Sequence, residues 1–116
     1  MHNYKELRVW NKSVNLATNV YKKTRSFPKH EIYGITSQIR RSVISISSNI
    51  AEGAGRSGKK EFKHFLNISY GSAFELETQI IISKKLGYLQ DDEFDLLNEL
   101  IVEIQKMLYN LIKSIE

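Results

Sequence analysis

Residues 38–62, QIRRSVISISSNIAEGAGRSGKKEF, decide the fold because they read in two incompatible ways. As letters, Gly53-Ala54-Gly55-Arg56-Ser57-Gly58 satisfies the dinucleotide pattern G-x-G-x-x-G. Gly53 through Lys59 also fits all but the last position of the phosphate-loop pattern G-x-x-x-x-G-K-[ST]. As periodicity, Ile35, Ile39, Val43, Ile46 and Ile50 recur at spacings of three and four, one face of a helix that closes at Gly53. A phosphate loop needs a strand before it, so that backbone amides converge on the anion at the start of the next helix. Val43, Ile44 and Ile46 offer β-branched residues for that strand, but they lie inside the helical pattern. The hydroxyl that would hold magnesium is replaced by Lys60, and only Thr78 to Ser83 competes as a second parallel strand. The glycines are therefore read as punctuation between two helices, not as a nucleotide cradle.

Working outward, four helical segments emerge. In the first, Leu7, Trp10, Val14, Ala17, Tyr21 and Thr24 form the inward seam, and Phe27-Pro28 ends it near Ser26. Pro28 suits a first helical turn, so the second helix is predicted to start there. Ser57 is the predicted N-cap of the third, in which Phe62, Phe65, Ser69, Ala73, Leu76, Ile80 and Ser83 share a face. Gly87 supplies its left-handed stop. Asp91 opens the fourth, with Asp92, Glu93 and Asp95 at the positive end of the helix dipole. Its seam is Leu97, Ile101, Ile104, Leu108, Leu111 and Ile115. Short links predict an all-α fold: a single antiparallel up-and-down four-helix bundle spanning residues 1–116. Ile81, Ile82 and Ile44 fall outside the seams, which predicts self-association.

The 116 residues are enough for one self-sufficient core. The absence of cysteine excludes a disulfide framework and thiolate chemistry. No signal peptide and no apolar membrane span are visible, so a cytoplasmic location without membrane contact is expected. Charge is unevenly spread: residues 1–60 carry twelve Lys/Arg against three Asp/Glu, and residues 61–116 five against ten. Such asymmetry points to an anionic partner or to complementary faces that meet in an assembly.

Gln38, Ser42, Ser45, Asn49 and Glu52 form a polar stripe along the second helix, matched by Ser72, Glu75 and Gln79 on the third. A Glu52–Glu75 pair is a candidate for acid–base work if burial raises one carboxyl. The preferred reading is a structural polar seam, in which these groups pair with Arg41, capping amides and each other. No nucleophile accompanies them, and His2, His30 and His64 lack the spacing of a metal site, so neither catalysis nor a metal or cofactor is expected. Gly71, mid-helix, is read as a point of close approach by another helix, and Gly34 likewise. Lys5, Arg8, Lys12 and Lys23 gather opposite the Trp10 seam and are expected to face water. Arg40, Arg41, Arg56, Lys59 and Lys60 add charge around the second helix and the glycine turn. Together they resemble a phosphate-backbone footprint for RNA or DNA, against the alternative of a solvated charged face.

The chain resembles the four-helix-bundle proteins encoded in intervening sequences of bacterial 23S ribosomal RNA genes. The residues that carry the resemblance include Trp10, Phe27-Pro28, Tyr33-Gly34, Arg40-Arg41, Ser48-Asn49-Ile50-Ala51-Glu52-Gly53, Gly55-Arg56, Gly71-Ser72, Glu75-Leu76-Glu77 and Leu86-Gly87-Tyr88. The resemblance implies an up-and-down bundle that assembles into a ring, typically a homopentamer, with no catalytic activity. That family is in turn similar to the basic pentameric accessory protein of diversity-generating retroelements, which implies contact with nucleic acid. Ser42 and Ser69 depart from the family's usual alanine, and Ser47 from its frequent proline. The leading expectation is a non-catalytic ring associating with structured RNA through a basic face. The alternative is a protein-only scaffold or accessory subunit whose charge asymmetry serves docking.

Overall fold

The computed structural model describes residues 3–115. Among the described residues all regular structure is helical: α1 (Arg8–Thr24), α2 (Ile35–Ala54), α3 (Lys59–Lys85) and α4 (Asp91–Ser114). Single 3₁₀ turns at Tyr4–Glu6 and Lys29–Glu31 precede α1 and α2. Val43 to Ile50 lie in the middle of α2, so no strand leads into Gly53. None of these helices is long and apolar enough to cross a membrane.

Each helix boundary has a local cause. Pro28 opens only the 3₁₀ turn, and α2 begins later than the sequence suggests, at Ile35, where Glu31 Oε1 accepts from the Ile35 amide at 3.4 Å. Gly34 is needed for that cap: a Cβ there would collide with the Glu31 carboxylate, so its role is local and not helix packing. Gly58, not Ser57, is the N-cap of α3, and no side chain caps it. The α3 stop matches expectation, with Gly87 at φ +81°. Tyr88 N donates to Ser83 O at 2.9 Å and Gly87 N to Lys84 O at 3.0 Å, the paired bonds of a Schellman motif. A capping box between Gln90 and Glu93 starts α4.

The core is built from Ile39, Val43, Ile46 and Ile50 of α2, Leu66, Leu76 and Ile80 of α3, and Leu97, Ile101, Ile104 and Leu108 of α4. In α1 the seam differs from the one read in the sequence. Of that seam Ala17 and Thr24 are buried as expected, but Val9, Ser13, Leu16 and Val20 fill the rest of the interior, while Val14 and Tyr21 are exposed. The buried line is rotated by about a quarter of a turn from Trp10, Val14 and Tyr21. Ser13 is tolerated inside because its hydroxyl donates to Trp10 O at 2.7 Å.

α1 packs on α2 and α4, and α3 on α2 and α4, so the helices follow chain order around the core. Residue pairings run with one number rising as the other falls. Ser42 meets Glu75, Ser45 meets Ser72 and Ser69 meets Ile46, while Lys12 meets Glu103 and Lys23 meets Glu93. The basic α1–α2 half thus forms one side of a rod 43 Å long, and the acidic α3–α4 half the other.

Candidate nucleic-acid interface

The turn between α2 and α3 has none of the geometry of a phosphate cradle. Gly53 is helical and buried, Gly55 is right-handed at φ −78°, and Gly58 is extended at φ −107°. No residue of the turn adopts the left-handed conformation that closes a backbone nest around an anion. Gly53 has another purpose. A Cβ there would lie 2.8 Å from Phe65 Cβ and 3.1 Å from Phe62 Cδ1, so the missing side chain lets α3 close onto α2.

Around this turn the cations are of two kinds. Arg56 is satisfied within the chain: Nη2 donates to Glu52 Oε2 at 2.9 Å, Nη1 lies 3.8 Å from Glu61, and the guanidinium sits 5.0 Å over the Phe65 ring. Lys59 and Lys60 are exposed in the first turn of α3 and make no ion pair among the described residues. Like charge at the positive end of a helix is unfavourable, by about 0.3–1 kcal/mol per residue for a surface site. Among the described residues Glu61 is the one acid in that turn.

The other cations of the sequence footprint do not share one face. Lys12 pairs with Glu103 at 2.9 Å and Lys23 with Glu93 at 3.7 Å, so both tie α1 to α4 where the sequence reading had them facing water. Arg40 is held between α1 and α2, its Nε donating to Thr24 Oγ1 at 3.0 Å and its guanidinium 4.8 Å over Tyr21. Arg41 is exposed beside the α2–α3 joint and makes no ion pair among the described residues, and Lys5 and Arg8 are exposed at the entry to α1.

The polar residues meet at the α2–α3 joint. The Ser45 and Ser72 hydroxyls are 2.8 Å apart, Ser42 Oγ donates to Glu75 Oε1 at 3.3 Å, and Asn49 donates to Ser45 O at 2.8 Å. Ser69 Oγ donates to Ile46 O at 2.8 Å, so Ser42 and Ser69 each tie the two helices together. Gln38, Arg41 and Gln79 border an open groove of about 430 Å³ there, and Gln79 Oε1 is buried without a partner. Glu52 is taken by Arg56 and Glu75 by Ser42, so the two carboxylates do not form a pair. Among the described residues no three His, Asp or Glu cluster as metal ligands; His2 lies outside them.

Gly71 does not mark a close approach within the chain. It is exposed and nothing lies within 4 Å of the place a Cβ would take. Sequence reasoning also missed the tie between Tyr88 and Glu31, whose oxygens are 2.8 Å apart across 57 residues. This bond, with the Ile35 amide and His30 adding to it, holds the Glu31 carboxyl below its ordinary value, against the opposing effect of burial. The same bond raises the Tyr88 phenol.

A four-helix protein with a tightly packed glycine turn and no strand among its described residues belongs with the helical bundles, not with the nucleotide-binding α/β folds. Residues 5–110 match the family described as 23S rRNA-intervening sequence protein, and the chain belongs to that family. A crystal structure of a protein of unknown function from the S23 ribosomal protein family of Bacteroides thetaiotaomicron superposes with a TM-score of 0.83. It is 26% identical, over 90% of this chain and 95% of that one. Curated proteins give no significant match.

Proposed function

We propose that the protein is a non-catalytic cytoplasmic assembly of antiparallel up-and-down bundles that associates with structured RNA through the α2–α3 turn. The observation that carries this reading is the pair Lys59 and Lys60: exposed, without acidic partners and stacked at the positive end of a 27-residue helix. An RNA phosphate there relieves both the helix field and the mutual repulsion. The rising-against-falling register brings Lys5 and Arg8, at the entry to α1, to the same end of the rod. The family's association with 23S rRNA intervening sequences points the same way, by analogy only. Charge reversal at Lys59 and Lys60 is the test. Retention of a structured RNA at low salt is expected to fall sharply in the double variant, and equal retention by wild type and variant defeats the reading.

Assembly into a ring is part of the same proposal. The α1–α2 side exposes Val14, Tyr21 and Ile44 within a basic half, and the α3–α4 side exposes Phe74, Ile81 and Tyr109 within an acidic half. Two different faces of opposite charge favour head-to-tail contact, which closes a ring when the rotation permits. Gly71 fits this picture, since its cost in α3 has no compensation inside the chain. The same features support the second reading, a scaffold that binds only protein. That reading predicts no salt-dependent RNA retention once subunits have assembled.

A further inference from the structure

The turn that joins α1 to α2 encloses a cleft of about 250 Å³, lined by Arg25, Phe27, Lys29, Ile32, Thr36 and Arg40. Its lining contains no carboxylate. Glu31, the nearest acid in sequence, is turned away, with Oε2 accepting from Tyr88 and Oε1 from the Ile35 amide. Glu93 is engaged with Lys23. Arg25 and Lys29 are exposed at the rim with no ion pair among the described residues. Arg40 is oriented by two contacts, Nε on Thr24 Oγ1 and the guanidinium face on Tyr21. Neither contact engages its terminal amino groups, which have no ion pair among the described residues. Thr36 is 2% exposed, and its hydroxyl has no hydrogen-bond partner.

Rim and floor are therefore rich in donors and short of acceptors. Three like charges, Arg25, Lys29 and Arg40, converge on one concavity, and no carboxylate among the described residues pairs with them. A ligand that suits such a place brings several acceptor oxygens and negative charge in a small volume. The planar fork of a guanidinium held in place matches a tetrahedral oxyanion through two parallel bonds. We propose that this cleft binds a phosphate oxyanion, seated on Arg40 and Lys29, and that an ester's carbon substituent, where the phosphate carries one, lies against Phe27 and Ile32. The phosphate belongs either to a free phosphate or phosphomonoester, or to the backbone of a bound RNA.

The test is calorimetric titration of the full chain with inorganic phosphate against chloride at matched ionic strength. Wild type is expected to give a saturable isotherm. Lys29→Glu alters an exposed side chain and is expected to weaken binding about tenfold. Arg40→Lys keeps the charge, loses the fork and is expected to weaken it about threefold. Circular dichroism of both variants confirms that the fold is retained. Absence of saturable binding by wild type, or equal affinity in wild type and Lys29→Glu, overturns the proposal. A repeat in the presence of a short RNA hairpin, at a concentration where its retention by the protein has been measured, separates the sources. A displaced phosphate isotherm assigns the site to RNA backbone, and an unchanged one to a free phosphate or phosphomonoester. The Lys59/Lys60 charge-reversal variant should keep the phosphate isotherm whether or not it retains RNA, so the two proposals fail separately.

Discussion

Replacing Gly53 with alanine separates the two readings of the glycine turn. As part of a phosphate loop, Gly53 and Gly55 would matter alike, through ligand affinity. In the helical hairpin only Gly53 matters, through packing. Its absent Cβ would stand 2.8 Å from Phe65 Cβ, a short-tethered atom that cannot swing aside, and 3.2 Å from Phe62 O. Forcing a methyl into a filled interface costs about 1–3 kcal/mol. Alanine in place of helical glycine returns about 1 kcal/mol. A contact below 3 Å to a tethered atom puts the packing cost in the upper part of its range, about 2–3 kcal/mol. The balance is then a net loss of roughly 1–2 kcal/mol, or about 4–8 °C in melting temperature for a domain of this size. At Gly55 the nearest atom to a new Cβ is Glu52 O at 3.5 Å and the backbone is right-handed, so Gly55→Ala is expected to be neutral or slightly stabilising. Thermal and urea melts at one fixed protomer concentration read both, since an assembly's stability depends on concentration. A Gly53→Ala protein as stable as wild type, or a Gly55→Ala protein that loses as much as Gly53→Ala, refutes the packing argument.

Gly71→Ala should raise helix stability by about 1 kcal/mol at dilutions where the chain is monomeric, while reducing the assembled fraction seen by light scattering. An unchanged assembly would place the subunit contact elsewhere. Tyr88→Phe removes the bond to Glu31. Because that bond depresses the folded-state Glu31 carboxyl, its stabilisation is present above the ordinary carboxylate range and disappears as pH falls through the lowered folded value. Melts between pH 7 and pH 3 should show wild type losing its advantage over Tyr88→Phe on acidification, and a constant difference would contradict this. Lys12→Glu sets two acids together across the α1–α4 joint and should lower stability by about 0.5–1 kcal/mol, an effect that fades with added salt.

The helices of this chain were legible where large apolar residues carry the period. Ile39, Val43, Ile46 and Ile50 in α2, and Leu97, Ile101, Ile104 and Leu108 in α4, all fall in the core as their spacing predicts. α1 misleads because its aromatic and branched residues, Trp10, Val14 and Tyr21, lie at the edge, while Ser13 occupies the interior by bonding its own helix. Val9, Leu16 and Val20 carried the true signal, diluted by the serine between them. The caps were harder, since Ser57 and Gly58 both suit an N-cap and only the path of the turn selects between them. The cations were the least legible. Nothing in the local sequence of Lys12 or Lys23 announces an acid on α4 opposite, some 70 or more residues away. Nor do Arg25, Lys29 and Arg40, spread over two helices and a turn, look like neighbours until the chain folds.

Salt dependence of RNA binding tests the functional account most directly. Each phosphate neutralised steepens the fall of log K against log salt by about 0.7 to 0.9. If Lys59 and Lys60 each engage a phosphate, reversing both should flatten that slope by roughly 1.4 to 1.8 and weaken binding across unrelated RNA sequences alike. A slope identical in wild type and variant, or no RNA bound by the assembled protein even at low salt, contradicts it.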